Sequence, residues 1–245
     1  MSELYKFWCK KSIRILLLLL VIPLLFGVGY FFDLSYMIED GEMADNVLAY
    51  CAQMQLLIKN IYFLAVIFIS CDVFSGEIEN GQIRISMVHM YSRKKLMMEK
   101  YLSLCGVITM FHCFFWAVNA LIYCLCMQKI NMPILICDRN VMVYIQIFVG
   151  YLESFFLCIA LAFCTGLFLK KMHNVVLIYI LWFFLRYMEE VIGLKDIVVE
   201  FTADYLTETA SALSVGWNIF FLNGLIGVIF VLLGICVFQH KDMKK

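Results

Sequence analysis

Phe74–Leu102 reads FSGEIENGQIRISMVHMYSRKKLMMEKYL. It is a short charged island between two apolar runs, Asn46–Cys71 and Tyr101–Gln128. It has no room for a domain of its own. Its reading decides the fold, because a chain must leave the apolar phase to carry so many charges and then return to it.

The rest of the sequence supplies that phase. Hydrophobic residues make up 64% of the 245, charged residues 16%, and there are two prolines. A soluble chain of this length rarely sustains such a composition, which indicates a polytopic helical membrane protein. A helix needs about 20 apolar residues to cross a bilayer. The candidate runs are 15–32, 46–71 (interrupted by Lys59), 101–128, 140–169 (interrupted by Glu153), 172–185 and 209–240. Five are long enough. The fifth in order, 172–185, suffices only if the helix continues through Arg186, whose long side chain can reach the interface. The expectation is an all-α protein with six spans and one transmembrane domain over 1–245. No internal repeat, low-complexity tract or linker divides it.

Orientation follows from Lys and Arg. One set of flanks, from Lys6 to Lys11, Arg14, Arg84, Arg93 to Lys100, Lys170, Lys171 and the last five residues, holds 14 of the 19. The loop DLSYMIEDGEMADN (33–46) has five acids and no base. Both termini and the island are therefore expected on the cytoplasmic side, with zero net charge hiding a basic inside and an acidic outside. The first apolar run is too long for a signal core and lacks a small-residue cleavage site, so it reads as a retained span. Most of the 11 cysteines fall within spans, where a thiol acts as a small apolar group. Cys51, Cys124, Cys126 and Cys137 fall near the outer face, as free thiols or with a disulfide among them.

Within the island the second span is expected to end near Asp72. Asn80 suits a helix N-cap. A short helix from Gly81 to about His89 would present Ile83, Ser86 and Met87 on one side. Ser92 can cap a second helix. Arg93, Lys94 and Lys95 at its start oppose the macrodipole and fit better as anchors facing anionic headgroups. Two readings of the island stand at this point: a positive turn that sets topology, or a docking helix for a soluble partner.

SGEIENGQIR followed by YSRKKLMMEKYL resembles the cytoplasmic signature loop of type-2 ABC exporter permeases. The matching positions are Gly76, Glu77, Glu79, Gly81, Ser92, Arg93 and Lys100; the family's proline falls at Met90 and is missing. The resemblance implies that 76–98 is a coupling loop docking a separate ABC ATPase subunit. It gives Glu77, Glu79, Asn80 and Arg84 a part in polar contact or local geometry there, and makes Ile83 and Met87 an apolar plug. It further implies a second permease subunit, identical or not, and a bacterial plasma membrane with both termini cytoplasmic. The substrate would be an antimicrobial peptide or other amphipathic compound, as in small bacitracin- or lantibiotic-resistance members. No Walker A pattern occurs, so ATP and Mg would belong to the partner. No cofactor, metal site or nucleic-acid partner is expected in this chain.

Residues 1–12, with Leu4, Phe7 and Trp8 set against Glu3, Lys6 and Lys10, read as an interfacial helix. In 189–208, Leu194, Ile197, Val198, Phe201 and Tyr205 share one helical face, opposite Lys195, Asp196, Glu200 and Asp204. That segment is too charged to span and reads as a re-entrant or interfacial outer helix. Glu153 is a candidate polar site, because a carboxyl inside hydrocarbon should be protonated, paired or facing a cavity. The plainer reading is an interhelical bond, for example to Asn119. Lys59 is close enough to the outer interface to reach it.

Two rival classes were weighed. RYMEEVIGLK has the double Glu of one intramembrane protease family, but Leu194 stands where that family needs Arg. His112 is the sole histidine well inside a span, and no Gly-x-Ser-Gly occurs. A non-transporting immunity or sensor protein holding a peptide at its outer face would keep the acidic loops without needing the coupling pattern.

Overall fold

The computed structural model describes residues 10, 13–32, 46–83, 92–130, 141–192 and 212–240. Among these there is no strand, and the helices follow the apolar runs. They are α1 (Arg14–Leu19), α2 (Val21–Phe31), α3 (Val47–Cys71), a π-helical turn (Asp72–Gly76) running into α4 (Glu77–Glu79), α5 (Arg93–Ile130), α6 (Val141–Gly166), α7 (Lys171–Ile192) and α8 (Ala212–His240). Expected segments 1–9, 33–45, 84–91 and 193–211, with Arg84, Met87 and Cys137, lie outside the described residues.

Local chemistry explains the boundaries. Pro23 has no N–H and its ring crowds the carbonyl four residues back, so the first rod breaks between α1 and α2 at Leu20, whose N–H turns to Leu17 O. Asn46 caps α3, its Oδ1 accepting the Ala49 N–H at 2.8 Å. The α7 helix passes Arg186 and reaches Ile192, the extension that the fifth run required.

Among the described residues, three helices are long and apolar enough to cross a membrane: Val47–Glu79, Arg93–Cys126 and Val141–Gly166. Arg14–Gly29, Lys171–Phe184 and Gly224–His240 are shorter apolar stretches. Large apolar side chains such as Leu18, Leu25, Phe32, Leu121 and Phe168 are exposed, although a full apolar core exists beneath them. A bundle apolar inside and outside has lipid as its natural solvent.

The rods alternate in direction. Lys10, the end of α4, the starts of α5 and α7, and the end of α8 meet at one end, through Lys10–Glu77, Lys100–Glu77, Lys171–Asp72 and Arg93–Gln239 contacts. The starts of α3 and α6 meet at the other, where Asn46 Nδ2 donates to Tyr144 Oη at 3.5 Å. Helix α6 is central, packed by α3, α5, α7 and α8. The core there is aromatic: Tyr62 and Phe155 lie 4.4 Å apart by ring centroid, and Phe63 stacks on Trp182 at 4.7 Å. Such pairs add about 0.5–1.5 kcal/mol each beyond the area they bury.

Candidate functional site: an ionic joint at one end of the bundle

The charged island does not begin where the second apolar run ends. Helix α3 continues through the π turn into α4, and Val73, Phe74, Ser75 and Gly76 remain buried. A π turn holds one residue more than an α turn, so it re-aims the side chains that follow; such turns recur at functional sites. Here it aims Asp72 and Ser75 at α7 and Glu77 at α5 and Lys10.

Ser75 turns to α7. Its Oγ accepts from Asn174 Nδ2 at 2.8 Å, and the same amide nitrogen donates to Ala162 O of α6 at 3.1 Å. Thr165 Oγ1 donates to Asn174 Oδ1 at 2.5 Å. Gly166 makes this meeting possible. A Cβ there would stand 2.7 Å from Ser75 Oγ and 3.1 Å from Asn174 Nδ2, inside van der Waals contact.

Asp72 turns to the start of α7, where Lys171 Nζ meets its Oδ1 at 2.5 Å and also lies 4.5 Å from the Phe68 ring centroid. The Lys171 backbone N–H donates to Glu79 Oε2 at 3.4 Å. One lysine thus joins two acids that stand a turn or two apart.

Glu77 turns inward and is 6% exposed. Its Oε1 binds Lys10 Nζ at 2.5 Å and its Oε2 binds Lys100 Nζ at 2.6 Å. Lys100 is 1% exposed; Lys10 keeps its side chain 21% exposed. A lone buried charge is costly, and a carboxylate with both oxygens in charge-assisted bonds is the arrangement that offsets the cost. A polar cavity of about 420 Å³ opens beside this cluster, lined by Lys10, Asp72, Glu77, Asn80, Gln82 and Lys171 among others.

Several expectations are corrected. The helix of the second apolar run does not end near Asp72; it continues to Glu79, where the acids of its last turns meet Lys10, Lys100 and Lys171. Asn80 is not the N-cap of a following helix. It closes α4, with φ −80° and its N–H donating to Gly76 O at 2.9 Å. Gly81 follows at φ +71°, its N–H donating to Ile78 O at 3.2 Å. That left-handed glycine is the ordinary way to end a helix. The chain is helical again at Gln82 and Ile83. Ile83 is 1% exposed and packs into this chain's own core, so it is not an outward-facing plug.

Ser92 is exposed just before α5, its carbonyl accepting from Leu96 N–H. Arg93, Lys94 and Lys95 are exposed, as anchors at an interface would be. Cys51 and Cys124 are free thiols, and Cys126 Sγ donates to Gly27 O at 3.8 Å. Glu153 is buried, but not against Asn119, whose Nδ2 donates to Phe115 O of its own helix at 2.8 Å. Glu153 instead faces α8, its Oε1 about where a Cβ on Gly224 would touch it, at 3.5 Å.

The lysines of the joint were not singled out as partners of these acids. Lys100 carried a legible signal. Leu96, Met97, Lys100, Leu104 and Val107 recur at three- and four-residue steps and are all buried. A lysine on such a stripe needs an acid opposite it. Nothing in the sequence pointed to Asn174 or Gly166.

Together these features define a polytopic α-helical membrane protein with a built ionic joint at one end. The chain matches no protein-family model, no curated protein and no solved structure.

Proposed function

We propose that the chain is the permease subunit of a type-2 ABC exporter, with six spans in a plasma membrane and the joint on the cytoplasmic side. What supports the reading is that the end of the second rod is tied to three other elements at once: to the N-terminal segment by Lys10, to α5 by Lys100 and to α7 by Lys171. Force applied to the segment after Gly81 would reach those rods through short charged bonds rather than through a slack loop. A topological turn needs no such bracing. A coupling element does.

In this reading a separate ATPase docks on the island through exposed Glu79 and Asn80 together with Arg84 and Met87. ATP and Mg bind in that subunit. Glu77, buried here, sets the geometry of the joint and does not touch the motor. Two permease subunits pair, the ATPase dimer closes, and the joint moves the rods toward outward release of an antimicrobial peptide or another amphipathic compound.

The test is capture of the tagged chain, in mild detergent, from the cells that encode it. An ABC ATPase is expected to co-purify. Replacing Glu79 and Arg84 together should lose it while membrane insertion is kept. If the unaltered chain brings down no ATPase yet still protects cells from a peptide, the export reading fails and a non-transporting immunity protein takes its place.

A further inference from the structure

A second cavity, of about 340 Å³, lies between α5, α6 and α8. It is within the size range of small-molecule sites, about 300–1,000 Å³. Its walls are Val149, Leu152, Phe156, Leu157 and Val228, with Tyr101 and Glu153 as the side chains bearing oxygen. The Tyr101 hydroxyl is engaged, donating to Phe156 O at 3.4 Å. Glu153 is 9% exposed, and its Oε1 meets no side-chain hydrogen-bond donor among the described residues.

This differs from the ionic joint in one respect. At the joint each buried acid has a lysine. Here a buried carboxyl lines an apolar cavity whose lining holds no lysine or arginine. The Gly224 backbone N–H is turned toward this carboxyl, but it supplies no charge, and an ionised acid so placed is costly without a cation. The cavity is also kept open by the chain itself. Gly224 and Gly227 face it without side chains, and a Cβ at either would approach Glu153 Oε1 or Leu157 Cδ1 at 3.5 and 3.8 Å. Val228, which also lines the cavity, is 59% exposed, so the cavity reaches the surface of the bundle.

We propose that this cavity binds a small organic cation, a protonated amine carried on an apolar body. The ammonium pairs with Glu153, and the body lies against Leu152, Phe156, Leu157 and Val228. The aromatic faces of Tyr101 and Phe156 suit a cation entering from the apolar side. A neutral apolar guest would leave the carboxyl unmatched, and a hydrophilic cation would leave the walls unmatched. As a substrate class for export the inference rests on the function proposed above; as a binding site it does not.

The experiment uses the full chain in lipid nanodiscs, without ATP or any partner, and measures saturable binding of 4-phenylbutylamine by calorimetry, with 4-phenylbutanol as the uncharged probe and empty nanodiscs as the partition control. Saturable amine binding is expected. It should weaken by about tenfold or more in Glu153→Gln, which removes the charge-assisted bond, and by a similar factor for the alcohol on the unaltered chain. Gly224→Leu, which fills the cavity and spares the carboxyl, should also weaken amine binding. Each variant is read only as a monodisperse sample with an unaltered helical spectrum. If Glu153→Gln does not yield one, Gly224→Leu and the alcohol decide. No binding above partition overturns the proposal, as does an alcohol or a Glu153→Gln chain that binds as well as amine and unaltered chain. Failure here would leave the ATPase capture result untouched, so the two readings stand or fall separately.

Discussion

Glu77 is the residue on which most of the joint depends. Each of its oxygens holds a lysine from a different part of the chain. The two are not equal. Lys10 is partly exposed and can be hydrated if its partner is lost, whereas Lys100 is wholly buried. Removing one member of a buried pair costs about 3–5 kcal/mol, while replacing the pair by apolar groups is often neutral. Glu77→Gln should therefore destabilise the chain strongly, by removing the carboxylate that meets the buried Lys100 ammonium at 2.6 Å. Glu77→Gln combined with Lys100→Met should recover most of the loss. Chemical unfolding in detergent, followed by circular dichroism over the four chains of the cycle, measures this. Additive losses in the double variant would show that the pair is not coupled.

At the scale of the element, what matters is how a single helix crosses from an apolar to a charged setting without a break. The π turn at Asp72–Gly76 re-aims Asp72, Ser75 and Glu77, and the helix then ends cleanly at Gly81. Gly81 has open space around a would-be Cβ, so its constraint is the backbone alone. A left-handed residue other than Gly or Asn costs about 1–2 kcal/mol. Gly81→Val should lower stability by roughly that amount, and Gly81→Asn should lie near the unaltered chain. Thermal unfolding of the two variants side by side tests it; equal losses would place the strain in side-chain contacts rather than in φ. The apolar, membrane-like character of α3 and α6 was readable from their composition. The π turn was not, because it depends on where Asn174, Lys171 and Lys100 stand in other helices.

For the whole molecule, length decides how the rods sit. Val47–Glu79 has 33 residues, about 50 Å at 1.5 Å per residue, against a hydrocarbon core of about 30 Å. The excess is expected at the ionic end, where the charges gather and headgroups and water can meet them. With the basic flanks inside, an impermeant thiol reagent on intact cells should label a single cysteine placed at Asp40 and not one placed at Ser92, in a cysteine-free background. Labelling at Ser92 and not at Asp40 would invert the orientation and remove the joint from the side where a cytosolic ATPase could reach it.

Composition and charge spacing determined, without any structure, that the chain is helical, that it belongs in a membrane and which of its ends carry positive charge. Those properties are local or additive: transfer of a run of side chains to hydrocarbon depends on the run itself, and the charge of an end on a count of its Lys and Arg. The pairing of Glu77 with Lys10 and Lys100, the inward turn of Ile83 and the closeness of Gly166 to Ser75 were decided only by the tertiary structure. Each joins residues that are distant along the chain or sets which face of a helix is covered. In a bundle apolar on all sides, hydrophobic periodicity gives little indication of that face, and only packing against neighbouring helices selects it.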